Sequence, residues 1–513
     1  MRFWTPLLFA GIVIACNTAD TGEGESGNSA IGTTGKCAVT NEMTGLPMTQ
    51  DELAKLDDPV AKLILTTEGC PTTVSELTAK LRAADTVGCA DAGKGKVANG
   101  VTTRMIGETA QQSGAPGGYR TVIARDCDSR PPFGLLMSGN ASARGVGERF
   151  LEIITQDKTK GVFDYYSQEN GQWTFFGTSA DYVTSGYTCK SGQCTPKVAS
   201  KTRCAGCHPG GGLNMKELHS PWVFWDLGSL PGAQEALASA PDVLGSRGSG
   251  VDLEEARVSP GNQAWVKKRL EILKPKGTQE VLRGLFCTLD MNVQTPNVPK
   301  EGLTAIPGDF LVDRSFQSRA VPVDNADYKA LLLSTKSTLP GGDKDTPFAF
   351  IYPERSAQDL FYQAELVNAK VVDDDFVKDV LAIDFTRPTY SAARCDLLRF
   401  APTLTADKLT PDLIRDGFKT ALKNETSPTA VQLLANLNAA GDQAAHQTAV
   451  TAFITACAAR PKKDFLVDAM KWVSHLRQTV RSTSPIIEGD AMMPKDNQAD
   501  TTGAFDPTTC VLK

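Results

Sequence analysis

What the sequence lacks narrows the possibilities first. Past its start, no stretch holds the roughly 20 consecutive apolar residues that a membrane-spanning helix needs, so no such helix is expected. Net charge is small: 53 Lys and Arg against 59 Asp and Glu leave −6, which argues against nucleic acid or an anionic membrane surface as the main partner. Histidine is rare, with 4 in 513 residues, and there is no internal repeat, so an array of repeated sites is excluded. The apolar fraction of 41 % is ordinary for a globular protein, and the length suits two to four domains.

What is present begins with an export signal. Arg2 gives a short positive start, Phe3 to Ile14 is mostly apolar, and small Ala15 precedes Cys16. This is the order of a secretory signal, with an apolar run too short to span a bilayer. The ending Val13-Ile14-Ala15-Cys16 resembles a bacterial lipobox. That resemblance implies cleavage before Cys16, lipidation of its thiol, and a mature chain held to a membrane by lipid alone. Ordinary cleavage leaving Cys16 free is the alternative. Residues 17 to 36 are mostly Gly, Ser, Thr, Asp and Glu, the composition of a flexible tether.

The chemistry lies in Cys204-Ala205-Gly206-Cys207-His208, a C-x-x-C-H sequence of the kind that attaches c-type haem. The two thiols add to the porphyrin vinyl groups, and the adjacent imidazole is left with little freedom except to bind the iron on that face. An unrelated disulfide and a zinc site are the competing readings. Zinc needs two further donors, for which Cys189, Cys194 and His219 are near in sequence. Setting aside Cys16, Cys204 and Cys207 leaves Cys37, Cys70, Cys89, Cys127, Cys189, Cys194, Cys287, Cys395, Cys457 and Cys510. An even remainder suits an oxidising compartment and up to five disulfides. Cys189 and Cys194 flank a turn-like insert and are expected to pair locally.

Pro209-Gly210-Gly211-Gly212 comes directly after His208, and glycine there lets the backbone pass close to a ring. In this segment the chain resembles compact class I cytochromes c. In that family the distal methionine comes from a downstream loop and often precedes proline; Met493-Pro494 is similar to that pair. The resemblance covers residues 204 to 212 and this outlying piece, and it implies one covalent haem c and redox activity. Cys204 and Cys207 would carry the haem, His208 would be an axial iron ligand, and Met493 the distal one. Met492, Met291 and His475 are lesser candidates, while Met215 and His219 come too soon after His208 to reach round the ring. Trp222, Phe224 and Trp225 would either shield the ring or fill the local core.

The chain divides into a signal peptide (1–15), a lipidated tether (16–36), a disulfide-stapled N-terminal region (37–130), a β meander with the haem segment (131–230), a mixed helix and loop region (231–400) and a helical C-terminal region with the Met-Pro loop (401–513). The region 37–130 reads as mostly helical and loop-like, with short amphipathic helices. Phe150 to Ile154, Gly161 to Tyr166 and Gln172 to Phe176 read as three antiparallel strands, whose aromatic face either lines the porphyrin or packs as ordinary core. Asp373-Asp374-Asp375 reads as a solvated helix start, and Thr410-Pro411-Asp412 as the opening of a helix. The expected fold is mixed, mainly α with a small antiparallel meander and a cytochrome c-like segment embedded in a larger multidomain chain.

The expected function is an exported, membrane-anchored monohaem c-type cytochrome. It carries single electrons at the bacterial cell envelope, on the periplasmic side or at the outer membrane, with a redox protein as partner. Two rivals stand beside it: a c-type haem peroxidase or oxygenase with an open distal site, and an envelope assembly lipoprotein in which haem is structural. The single C-x-x-C-H motif favours an electron carrier over a catalyst, since di-haem peroxidases carry two.

Overall fold

A computed structural model describes residues 35–72, parts of 76–81, the strands between 101 and 146, and residues 150–169, 171–190, 192–202, 204–205, 208–213, 247–248, 258–294, 302–335, 350, 352–439, 443–483 and 504–513. The expected signal, most of the expected tether, Cys16, Cys89, Cys127, Cys207 and residues 214–246 and 484–503 lie outside them. No helix among the described residues is long and apolar enough to cross a membrane.

The largest element is a ten-stranded sheet. Its strands are β1 (Val39–Asn41), β2 (Leu46–Pro47), β3 (Val101–Gly107), β4 (Tyr119–Arg125), β5 (Leu135–Ser142), β6 (Gly145–Val146), β7 (Phe150–Asp157), β8 (Val162–Glu169), β9 (Gln172–Thr178) and, much later, β12 (Arg247–Gly248). The expected three-stranded meander is present as β7, β8 and β9 in antiparallel register. It is the middle of a larger sheet rather than a small unit. The order is β12-β3-β4-β5-β7-β8-β9-β1-β2, with β6 on β5; β1 runs parallel to β9 and β12 parallel to β3. The expectation of a mostly helical and loop-like 37–130 is therefore corrected. α1 (Gln50–Ala54) and a π-helical turn (Ala61–Leu65) lie there, but so do β1 to β4. The Thr and Arg residues interrupting Val101–Gly107 hide a strand whose stability comes from its ladder to β4.

Both faces of the meander are covered. On β8 the side chains alternate, as a strand requires. Tyr166 joins Ile153, Trp173 and Phe175 in a core with Leu53, Val60, Ile64 and Leu65 of the N-terminal helices. Phe163 and Tyr165 point the other way, into a second core that also takes in Trp265, Phe286, Tyr362, Phe418 and Trp472. β8 is thus buried along all but its last residue.

After β9 come α2 (Ser179–Thr184) and a hairpin of β10 (Tyr187–Lys190) and β11 (Gln193–Pro196). The remaining helices are α3 (Ser259–Leu273), α4 (Thr278–Phe286), α5 (Gly308–Leu311), α6 (Asn325–Thr335), α7 (Ala357–Asn368), α8 (Asp374–Leu381), α9 (Ala392–Asp396), α10 (Pro411–Leu422), α11 (Pro428–Asn438), α12 (Gln443–Ala459) and α13 (Lys462–Thr483). Two-residue strands β14 (Ala305–Ile306) and β15 (Val321–Pro322) pair with each other, as do β13 (Met291–Gln294) and β16 (Tyr352–Arg355). The C-terminal helices begin where their caps place them. Thr410 caps α10 with Pro411 in its first turn, and the Asp373 carboxylate accepts from the Phe376 N–H at the start of α8, as expected for that acidic run.

Four disulfides join described cysteines: Cys37–Cys70, Cys189–Cys194, Cys287–Cys395 and Cys457–Cys510. The local pair 189–194 is as expected. It removes the zinc reading that drew on those two thiols, because both sulfurs are spent on each other across opposed positions of the hairpin.

Candidate functional site

The C-x-x-C-H segment lies between the meander and the helical core. Cys204 and Ala205 are helical, and the His208 N–H donates to the Cys204 carbonyl at 2.7 Å, closing one turn. The turn brings the first thiol and the imidazole of the motif to one short piece of backbone. Ala205 is fully buried, whereas Cys204 and His208 are half-buried.

The backbone from Pro209 to Leu213 is held more tightly. The Gly211 N–H donates to the His208 carbonyl at 2.8 Å, and Gly211 takes the left-handed φ of 72°. The Gly210 carbonyl accepts from the Trp265 indole N–H on α3 and from the Gln358 amide on α7, both at 2.8 Å. The Gly212 carbonyl accepts from the Tyr165 hydroxyl at 3.1 Å, and the Leu213 N–H donates to Asn262 Oδ1 at 2.8 Å. A Cβ at Gly210 or Gly212 would run into the Gln358 amide; one at Gly211 would stand 2.9 Å from the Ser179 carbonyl. The run of glycines is therefore required by protein packing alone, whatever else approaches it.

Beneath the motif lies a short aromatic stack. The Tyr165 ring sits 5.5 Å from the His208 ring and 4.8 Å from Tyr182, the latter pair stacked at 28°. Tyr165 comes from β8 and Tyr182 from α2, so the turn from sheet to helix sets the stack. The Tyr182 hydroxyl donates to the Phe176 carbonyl at 3.0 Å. Burial pushes both phenols well above their ordinary range. These rings therefore stay neutral beyond the ordinary phenol range. The meander's aromatic face is thus more than remote core: one of its rings supports the histidine.

A charged layer backs this frame. Asp359, next to Gln358 on α7, accepts from the Leu289 and Asp290 N–H groups at 3.0 and 3.2 Å. Arg269, one turn beyond Trp265 on α3, stands 3.9 Å from Asp359 and 4.2 Å over the Tyr362 ring. Burial raises the Asp359 carboxyl, and the Arg355 and Arg269 charges oppose that rise.

Among the described residues of the motif, one thiol, Cys204, and one imidazole, His208, are the donor types that a covalent haem c takes. A thiol and an imidazole share one exposed-edged turn, a buried ring backs the imidazole, and the backbone after it is immobilised. Cys207 is outside the described residues, as are Cys16, Met215, His219, Trp222, Phe224, Trp225, Met492 and Met493. Met291 lies fully buried on β13 as core. His475 on α13 stacks on Trp472 at 4.9 Å, and His446 on α12 pairs through Nε2 with Asp379 at 3.0 Å. Sequence reasoning missed Tyr182, Trp265, Asn262 and Gln358. No local pattern marks them, since Trp265 and Gln358 are 55 and 148 residues from the carbonyl they hold. No protein-family model, curated protein or solved structure matches the chain.

Proposed function

We propose that the chain is an exported, lipid-anchored monohaem c-type cytochrome that passes single electrons between proteins at the bacterial cell envelope. The observation that carries this reading is the turn Cys204–His208, with its imidazole against Tyr165 and its outgoing backbone clamped by Trp265 and Gln358. Bound haem supplies a one-electron iron couple. Cys204 and Cys207 would hold it covalently, His208 would be one axial ligand and Met493 the other. The protein's part is to keep those donors still. Tyr165 limits the tilt of the His208 ring, and the clamped Gly210 carbonyl keeps the turn from unwinding. A ligand set that does not move on gaining an electron costs little reorganisation. Lipidation at Cys16 would keep the carrier at a membrane surface.

The test is the mature protein expressed with haem-maturation machinery. A pyridine haemochrome spectrum of the c type is expected, with an intact mass raised by one haem. Cys204→Ser with Cys207→Ser is expected to lose both signals while the protein still folds. Wild-type protein without covalent haem would sink the proposal. A high-spin ferric spectrum with peroxide turnover would favour the open-site enzyme instead.

A further inference from the structure

Away from the haem segment, two disulfides meet. Cys189–Cys194 crosses the β10–β11 hairpin, and Cys287–Cys395 joins the end of α4 to α9. Their four Sγ atoms all lie within 4.8 Å of one another. Backbone hydrogen bonds bring them together. The Cys194 N–H donates to the Thr288 carbonyl at 2.9 Å, and the Thr288 N–H donates to the Gly192 carbonyl at 3.0 Å. The hairpin thereby pairs with the residue directly after Cys287. Gly192 is pressed onto the backbone of Ser391 and Ala392, where α9 begins. Cys194 and Cys287 are buried, and Cys189 alone of these is exposed. Arg283, one turn before Cys287 on α4, donates to the Cys189 sulfur at 3.7 Å.

We propose that this cluster is a thiol–disulfide exchange site whose substrate is a dithiol. Access selects Cys189 as the sulfur attacked, and Arg283, whose charge its 2.5 Å ion pair with Glu280 partly offsets, still presents an N–H and a positive edge to an approaching thiolate. The incoming thiolate forms a bond to Cys189 Sγ; the Cys189–Cys194 bond breaks and its electron pair goes to Cys194 Sγ. That buried thiolate then attacks Cys287 or Cys395. A new bond from Cys194 forms, the Cys287–Cys395 bond breaks, and the electron pair leaves on the other sulfur of that pair. The second thiol of the substrate attacks its own mixed-disulfide sulfur and releases Cys189 as a thiolate. The substrate leaves as a disulfide, oxidised by two electrons. The chain keeps one bridge from Cys194 and holds the two electrons as thiols at Cys189 and at Cys287 or Cys395. The step needs no metal and is independent of the haem reading.

The experiment uses full-length mature protein, titrated with dithiothreitol, quenched in acid, alkylated and mapped by mass spectrometry. As Cys189–Cys194 opens, a bridge from Cys194 to Cys287 or Cys395 is expected, while Cys37–Cys70 and Cys457–Cys510 persist. Arg283→Ala is expected to slow the opening about fivefold, with Arg283→Lys near wild type, the size of effect one solvent-edge charge gives. Cys189→Ser leaves Cys194 as a thiol and is expected to form the crossed bridge without any reductant. If that variant does not fold, the wild-type titration and the Arg283 variants decide. The two pairs opening independently, with no crossed bridge at any reductant concentration, would overturn the proposal.

Discussion

Gly212 shows how a single absent methyl can matter more than a hydrogen bond. A Cβ there would overlap the Gln358 side-chain oxygen and stand 2.7 Å from Asn262 Oδ1. Gly212→Ala is therefore expected to lower stability by about 1–3 kcal/mol, the usual cost of overpacking a closed site. The obstruction at Gln358 is the end of a side chain, so it can be removed. In Gly212→Ala/Gln358→Ala the loss should fall short of the sum of the single losses by about 1 kcal/mol, measured by urea unfolding. Gly211 offers no such relief. Its neighbour is the Ser179 backbone and its φ is left-handed, so Gly211→Ala should resist rescue by any side-chain change. Strict additivity in the Gly212 pair would mean that the alanine is absorbed elsewhere and that Gln358 is not the obstruction.

At the scale of elements, β8 meets the N-terminal helices at a buried acid pair, Asp164 on the strand and Asp58 just before the π-helical turn. Asp58 Oδ1 accepts from the Val60 and Ala61 N–H groups at 2.8 and 3.1 Å, and Asp58 Oδ2 accepts from the Tyr166 hydroxyl at 2.8 Å. Asp164, fully buried on β8, faces it, with Asp157 also buried and ion-paired to Lys160 at the rim. Burial first, and the Asp58 charge next, hold the Asp164 proton well above the ordinary carboxyl range. An acid whose folded pKa is raised adds stability that is complete below its unfolded value, about 3.9, and is lost as pH rises through the folded value. Stability at this joint should thus fall as pH rises from about 4. Asp164→Asn, neutral throughout, should reduce that dependence, leaving the share of Asp58, which burial also raises, and match or exceed wild type at pH 7 to 8. Urea midpoints from acid to neutral pH check this, and an unchanged slope would place its origin elsewhere. None of this joint was legible in the sequence. The aromatic alternation of 150–178 marks β7 to β9 plainly, and the caps at Asp373 and Thr410 mark α8 and α10. Asp164 between Phe163 and Tyr165 looks like an outward position, because alternation reports only one buried face and cannot tell that helices from 50–65 cover the other. The reading of the motif at Cys204 rests on local sequence alone, while the Trp265 and Gln358 that hold the backbone after it are tertiary.

Over the whole molecule, the proposed carrier depends on whether residue 493 can serve a site organised around residue 208. Both ends of the intervening segment are tied down. α13 packs Phe465, Leu466, Trp472 and Leu476 into the main core before ending at Thr483. Past it, Phe505 and Cys510 are buried, Cys510 is bonded to Cys457 on α12, and the Arg460 guanidinium donates to the Cys510 carbonyl at 2.6 Å. Met493 stands about ten residues from either anchor, a reach of up to roughly 30 Å for extended chain. That span is comparable to the dimension of a whole small domain. Given covalent haem, ferric wild type should show the weak near-infrared sulfur-to-iron band, and Met493→Ala should lose it with the pyridine haemochrome unchanged. Cys457→Ser/Cys510→Ser frees one anchor and should cost about 4 kcal/mol, the chain-entropy figure for closing a loop of that size. The band should then vanish at lower urea concentration than in wild type, ahead of unfolding of the meander. Persistence of the band in Met493→Ala would assign the sulfur to another methionine. Met291 is a poor substitute, since its side chain is fully enclosed on β13. Met492, adjacent to Met493 and sharing its reach, would be the one to replace next.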